Sequence, residues 1–186
     1  MVLLVQYTLI FASVLALVAL GGCFSEHSGV INIGLEGIMV MGALGGALAM
    51  KFLPASAPGI VLFILIVLAS VLVGMAFSLL LGFAAIHFNA DQTLVGTALN
   101  LMGTAAAVVI VRAINVAENP DNVSSTVVYR QAKQVFLVKI GDFEFNWFML
   151  IIVLAIIASH IVLYRTKFGL RLCACGEHPQ AADSVG

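Results

Sequence analysis

Asn32 and Glu36 are the residues whose type and spacing most suggest chemistry, because both are polar and border an otherwise apolar stretch. Four positions apart, they would share one face of a helix. A carboxylate inside a membrane is costly unless it is paired or faces water. Gly29, Gly34 and Gly37 surround the pair and would permit a broken or re-entrant helix lining a cavity. The pattern therefore predicts part of a translocation path or its gate; an equally good interpretation makes Glu36 a cap at a helix start.

A second polar group stands inside a later apolar stretch. Asn100 has Thr97 and Thr104 within one helical turn on either side. These side chains would either line a pathway or hydrogen-bond neighbouring helices, and the second interpretation is slightly favoured. Asp91 and Gln92 precede this stretch and are predicted to cap its helix.

The chain has none of the short motifs that would indicate an enzyme. It contains no GxxxxGK[ST] phosphate loop, no HExxH zinc motif and no GxSxG nucleophile elbow. Ser159 and His160 are adjacent, so on a helix they would point about 100° apart and could not act together as nucleophile and base. The three cysteines, Cys23, Cys173 and Cys175, have no zinc-binding spacing and predict free thiols. We expect no catalytic residues, no bound metal and no cofactor of this chain's own.

Composition identifies the class of protein. Hydrophobic residues make up 62% of the 186 residues and charged residues only 9%, whereas soluble domains carry roughly 25% charged residues. The net charge of -1 gives no basic face for nucleic acid. The sequence predicts an all-α, polytopic membrane helix bundle, a single transmembrane domain over 1–186. Its candidate spans are 2–24, 33–50, 59–86, 93–114 and 147–164.

Basic residues directly after the last span predict the orientation. Arg165, Lys167 and Arg171 lie within seven residues of one another, and Lys/Arg beside a span mark its cytoplasmic end. Counting back through the spans places the Lys51 turn and the 115–146 loop outside, together with the N-terminus. Segment 165–186 is then a cytoplasmic docking surface.

Small residues recur at four-residue spacing, which lets neighbouring membrane helices approach closely. The sets are Gly42/Gly46, Gly74/Ser78/Gly82 and Gly103/Ala107. They predict bundle packing and do not by themselves identify a transporter.

Three blocks in order carry a family resemblance: SEHSGVINIGLEGIMVMGALGGAL, FNADQTLVGTALNL and YRTKFGLRLCACGEHPQAADSVG. The chain resembles, over essentially its whole length, the membrane permease subunits of bacterial ABC importers for nucleosides and simple sugars, in the ribose/branched-chain amino-acid permease superfamily. It is most similar to the shorter of the two permeases that pair in nucleoside-type systems. The resemblance implies an inner-membrane location and three kinds of protein partner: a cytoplasmic ATPase that hydrolyses ATP, a second and non-identical permease chain, and an extracytoplasmic substrate-binding lipoprotein.

The resemblance also implies a coupling segment that sits in a groove of the ATPase. Its residues would be Gly169, Arg171, Glu177, Pro179, Ala181, Ala182 and Gly186. Pro179 suits the first turn of a short helix, while Gly169 and Gly176 would supply turns if they adopt a positive φ.

The sequence departs from the family in two respects. Family members usually continue with several further membrane helices after the coupling segment, so the chain is expected to be the first part of a larger permease. Cys173 and Cys175 stand where Arg or a small residue is expected. The alternative is a fragment of a secondary carrier, in which Glu36 would be a proton or ion site.

Overall fold

A computed structural model describes residues 2–54, 58–127, 137–140 and 143–184. The chain divides into two compact units, one formed by Met1–Asn32 with Phe136–Gly186 and the other by Ile33–Val135. The helices are α1 (Val2–His27), α2 (Leu35–Phe52), α3 (Gly59–His87), α4 (Gln92–Glu118), α5 (Trp147–Arg165), α6 (Lys167–Glu177) and α7 (Pro179–Ser184). Two short strands, β1 (Leu137–Ile140) and β2 (Phe143–Asn146), pair antiparallel.

Five of these helices, α1 to α5, are long and apolar enough to cross a membrane. Large apolar side chains cover their surfaces, which suits helices whose solvent is lipid. The prediction of an all-α, polytopic bundle with about five spans is confirmed. The short hairpin is an addition that the sequence analysis did not predict, since 115–146 was expected to be a polar loop.

In the unit formed by Ile33–Val135, α2 packs on α3 through residues without bulky side chains. A Cβ atom added at Gly45 would lie 2.9 Å from the Ala69 carbonyl oxygen, and one added at Gly42 would lie 3.3 Å from the Ser70 carbonyl oxygen. Ser70 Oγ donates to the Gly42 carbonyl at 2.8 Å. The helices therefore approach closely enough for a side-chain hydroxyl to bond the neighbouring backbone, as the glycine spacing predicts.

Not every predicted small residue takes part in such packing. Gly103 on α4 meets Gly37 on α2, where an added Cβ would lie 2.8 Å from the Gly37 Cα. Gly82, in contrast, has open space around it among the described residues. Ser78 Oγ donates to the Met75 carbonyl of its own helix at 2.8 Å. The spacing found the α2 contacts correctly but overestimated the packed face of α3.

The expected helical face shared by Asn32 and Glu36 is wrong. Residues 28–34 are not helical, and α2 begins only at Leu35 after an N-cap at Gly34. Asn32 therefore lies in the connection before the helix, while Glu36 lies in its first turn. The physical reason is a glycine-dependent helix end at Gly29, which stops α1 before the connection.

The N-terminus of α4 agrees with the sequence analysis. Asp91 caps the helix, its carboxylate accepting from the Thr93 amide at 2.8 Å and the Leu94 amide at 3.2 Å. At the other end α4 continues to Glu118, about one turn beyond the predicted span. In the unit formed by residues 1–32 and 136–186, α1 packs along α5 and also contacts α6.

Candidate functional site

The start of the predicted coupling segment is a tight turn between α5 and α6. Thr166 is the N-cap of α6; its hydroxyl accepts from the Gly169 amide at 3.3 Å and donates to the Val162 carbonyl at 2.6 Å. Gly169 is buried, and an added Cβ would collide with the carbonyl oxygens of Val162 and Leu163. The turn consequently needs a residue without a side chain at Gly169.

Close approach, not backbone conformation, explains both glycines of α6. Among the described residues the only glycine with a positive φ is Gly29. The expectation that Gly169 or Gly176 supplies a positive φ is therefore wrong. Both lie in a regular helix, and backbone atoms of a neighbouring part of the chain occupy the position that a Cβ atom would need.

Near the far end of the segment, the helix breaks at His178, between α6 and α7. The His178 amide closes α6 by donating to the Ala174 carbonyl at 3.0 Å, and α7 begins at Pro179. The Ala182 amide donates to the His178 carbonyl at 3.0 Å. Pro179 thus opens a short helix, as expected, because its missing N–H costs nothing in a first turn. Gly186 lies outside the described residues.

An open groove runs between α6 and α7. It brings together five of the predicted coupling residues, Arg171, Glu177, Pro179, Ala181 and Ala182, with Leu170, Ala174, Cys175, His178 and Asp183. Arg171 and Glu177 are both exposed. An exposed arginine and an exposed carboxylate on a groove with an apolar wall can make charge-assisted hydrogen bonds to a partner while burying apolar surface.

In the other unit, Asn100 connects α4 to the start of α2. Its Oδ1 accepts from the Gly37 amide at 2.7 Å, and its Nδ2 donates to the Ile33 carbonyl at 2.9 Å. The N-cap residue of α2, Gly34, makes no side-chain cap bond. Asn100 therefore caps α2 from a neighbouring helix, which agrees with the helix-bonding interpretation of this residue.

The neighbours of Asn100 explain how the amide reaches that backbone. Gly96 and Gly103 flank it on the same face of α4, and an added Cβ at Gly96 would lie 2.9 Å from the Gly34 amide nitrogen. Thr97 and Thr104 instead bond carbonyl groups of their own helix. Asn100 thus hydrogen-bonds the start of α2, whereas the hydroxyls of the two threonines bond within α4.

Glu36 and Asn32 have different surroundings. Glu36 is exposed in the first turn of α2, where the helix dipole favours a negative charge. The Oδ1 atom of Asn32 is buried and has no hydrogen-bond partner within the part of the chain that the structure describes. A buried amide oxygen without a donor is costly, so it is a natural site for water or a ligand hydroxyl.

Sequence reasoning missed a polar cluster at the C-terminal ends of α2 and α4. Lys51 Nζ lies 2.8 Å from Glu118 Oε2 and 3.4 Å from Asn115 Oδ1. Asn115 is only 3% exposed and donates to the carbonyls of Ser124 and Thr126 at 2.9 and 3.0 Å. The sequence signal for this ion pair is a lysine at the end of one span and a glutamate at the end of another. The ion pair places the C-terminal ends of α2 and α4 on the same side of this unit, as expected from the orientation counted back from the basic residues after the last span.

No group of three or more His, Cys, Asp or Glu side chains within the described ranges could hold a metal ion. The three cysteines are free thiols. His160 lies beside Tyr164, with ring centroids 5.1 Å apart, which is a packing contact.

Comparison with known proteins places the chain in a family. The family model described as "Branched-chain amino acid transport system / permease component" matches residues 4–186. The guanosine ABC transporter permease protein NupQ of Bacillus subtilis is 38% identical, over 99% of this chain and 59% of that protein. The nucleoside ABC transporter permease protein NupC of Lactococcus lactis is 35% identical over the same shares.

A more distant relative is archaeal. The putative glucose ABC transporter permease protein TsgC13 of Haloferax volcanii is 30% identical, over 98% of this chain and 54% of that protein. The chain therefore spans less than two thirds of the length of these relatives. No solved structure matches.

Proposed function

This chain belongs to the branched-chain amino acid transport system permease family, and on that premise we propose that it forms part of the membrane path of an ATP-driven importer for nucleosides or simple sugars. It is a multi-pass integral protein of the bacterial plasma membrane. The proposed substrate class rests on similarity to permeases named for guanosine, nucleosides and glucose. Nucleosides are the preferred substrate class, because the two relatives of higher identity among these three are named for guanosine and for nucleosides.

The groove between α6 and α7 is the observation on which the mechanism rests. Arg171 and Glu177 are exposed along it, and Pro179 opens its second wall. A separate cytoplasmic ATPase would dock there, with Arg171 and Glu177 as charged anchors and Ala181 and Ala182 as the close apolar contact. ATP is hydrolysed on that partner, and this chain contributes the docking surface and the helices that move.

Substrate would be delivered by an extracytoplasmic binding lipoprotein and would pass between this chain and a second, non-identical permease chain. The translocation path would include Asn32 and Glu36. Among the described residues the buried Oδ1 of Asn32 has no hydrogen-bond donor, and a hydroxyl group, which sugars and nucleosides present, would supply one. Asn100 would support this region by holding the start of α2 in place.

The test is uptake of radiolabelled guanosine by proteoliposomes that contain the full-length permease, its permease partner, the ATPase and the binding protein. Uptake should require ATP and should be lost in the double variant Arg171→Ala/Glu177→Ala. The ATPase should then no longer co-purify, while membrane insertion and pairing with the second permease persist. Hot-spot losses of this kind cost about 2 kcal/mol or more, roughly 30-fold in affinity.

Matched controls come from the same two helices. Lys167→Ala removes an exposed cation from α6, and Gln180→Ala shortens an exposed side chain of α7; neither residue lines the groove. Both should retain the ATPase and uptake.

Guanosine uptake that continues without the ATPase and stops when an ionophore collapses the ion gradients would instead identify a secondary carrier. Normal co-purification and uptake by the double variant would overturn the docking role of the groove.

A further inference from the structure

The C-terminal end of α1 has a defined geometry. The Val30 amide donates to the Ser25 carbonyl at 3.2 Å and the Gly29 amide to the Glu26 carbonyl at 3.0 Å, while Gly29 has φ +80°. This pair of bonds with a left-handed glycine is the Schellman arrangement. Ser25 Oγ donates to the Val30 carbonyl at 2.7 Å and reinforces it. The end of α1 is thus a compact, hydrogen-bonded turn.

This turn lies directly against α6. A Cβ atom added at Gly29 would lie 3.0 Å from the Gly176 Cα, and one added at Gly176 would collide with the His27 carbonyl oxygen and lie 2.9 Å from the Gly29 nitrogen. The contact is reciprocal and is made by backbone on both sides. Backbone atoms in such contact have no rotamers through which to absorb a displacement.

Helix α6 is consequently held at both ends by glycines. Gly169 sets its first turn against the last turn of α5, and Gly176 sets its last turn against the end of α1. An additional contact joins α1 to α5, where His27 Nε2 lies 3.5 Å from the Tyr164 hydroxyl. Arg171, between the two glycines, remains exposed on the groove.

We propose that Gly29 and Gly176 form an interlock that makes α6 and the end of α1 move as one body, so that displacement of the coupling segment is passed to the connection leading from α1 into α2. The interlock rests on the proposed function for its role in transport. Gly29 and Gly176 are positioning residues: neither lines the α6–α7 groove, and each acts through the helix that it holds.

Two native cysteines report on the interlock without any transport measurement. Cys23 lies on α1, and Cys173 lies on α6, about one turn before Gly176 and outside the lining of the α6–α7 groove. Spin labels at these two positions, with Cys175→Ser to remove the third thiol, give their separation by double electron–electron resonance. In the full-length complex the separation should be the same in the nucleotide-free and vanadate-trapped states. In Gly176→Ala the distribution should broaden or shift already without nucleotide.

Function supplies the second readout. Gly176→Ala should retain the ATPase on co-purification, because Arg171 and Glu177 are untouched, but should lose guanosine uptake while ATP hydrolysis continues. Gly21→Ala is the matched control, since Gly21 is a helical glycine of α1 and no neighbouring atom of the described residues lies within 4 Å of an added Cβ. It should leave the label separation and uptake unchanged.

The outcomes separate the two proposals. A Cys23–Cys173 separation that changes between nucleotide states in the parent protein overturns the interlock, as does a Gly176→Ala variant with parental separation and parental uptake. A parent complex that binds no ATPase and takes up no guanosine refutes the proposed function instead. In that case the label separations of the nucleotide-free parent and Gly176→Ala still decide whether the interlock exists.

Discussion

Replacement of Asn100 by Leu removes two hydrogen bonds that hold α4 to the start of α2. The amide accepts from Gly37 at 2.7 Å and donates to Ile33 at 2.9 Å. Leu has the same number and branching of side-chain heavy atoms as Asn, so the change removes the bonds while the shape of the side chain is largely kept. The Gly37 amide, at the uncapped start of α2, and the Ile33 carbonyl would then lack their Asn100 partners.

Hydrogen bonds between membrane helices average about 0.6 kcal/mol each, with the best near 1.7 kcal/mol. Two bonds of good length, one of them to an otherwise uncapped helix end, should therefore contribute about 1–2 kcal/mol. This corresponds to roughly a 5–30-fold change in the unfolding equilibrium. The loss should be measurable by titrating the full-length permease in mixed micelles with dodecyl sulfate.

Thr97→Val is the matched control, because the Thr97 hydroxyl bonds only to carbonyls of its own helix in the described structure. It should change the free energy of unfolding by less than about 0.5 kcal/mol, the usual scatter between independent sites. A destabilisation by Asn100→Leu no larger than that of Thr97→Val would refute the assignment of Asn100 as a cap of α2.

Two further predictions concern charge and orientation. Glu36→Gln should lower the free energy of unfolding by about 0.3–1 kcal/mol, because Glu36 lies in the first turn of α2, and should leave the pH profile of guanosine uptake unchanged; loss of pH dependence in the variant would point to a proton-coupled carrier. Cys175, which is exposed, should react with a membrane-impermeant maleimide faster than the partly buried Cys173 and only in inverted vesicles. Labelling in intact spheroplasts would show that the predicted orientation is reversed.

The sequence alone determined the class of protein, because apolar stretches of about 20 residues can satisfy their backbone in lipid only as helices. Local rules also worked where the determinants are local. Asp91 caps α4 because an aspartate at an N-cap needs only the next three residues, and Pro179 opens α7 for the same kind of reason. The three motif blocks were sufficient to recognise the family.

Only the tertiary structure decided the roles of residues whose partners are distant in sequence. Asn100 binds backbone groups 63 and 67 positions away, and nothing in its own helix distinguishes that role from lining a pathway. Asn32 and Glu36 are separated by the start of α2 at Leu35, whereas spacing alone counted them on one helical face. Gly176 has an ordinary helical conformation and gains its constraint from the His27 carbonyl, 149 residues earlier by number. A pattern of residue types records conformational preference, while close approach of two backbones depends on where the chain returns in space.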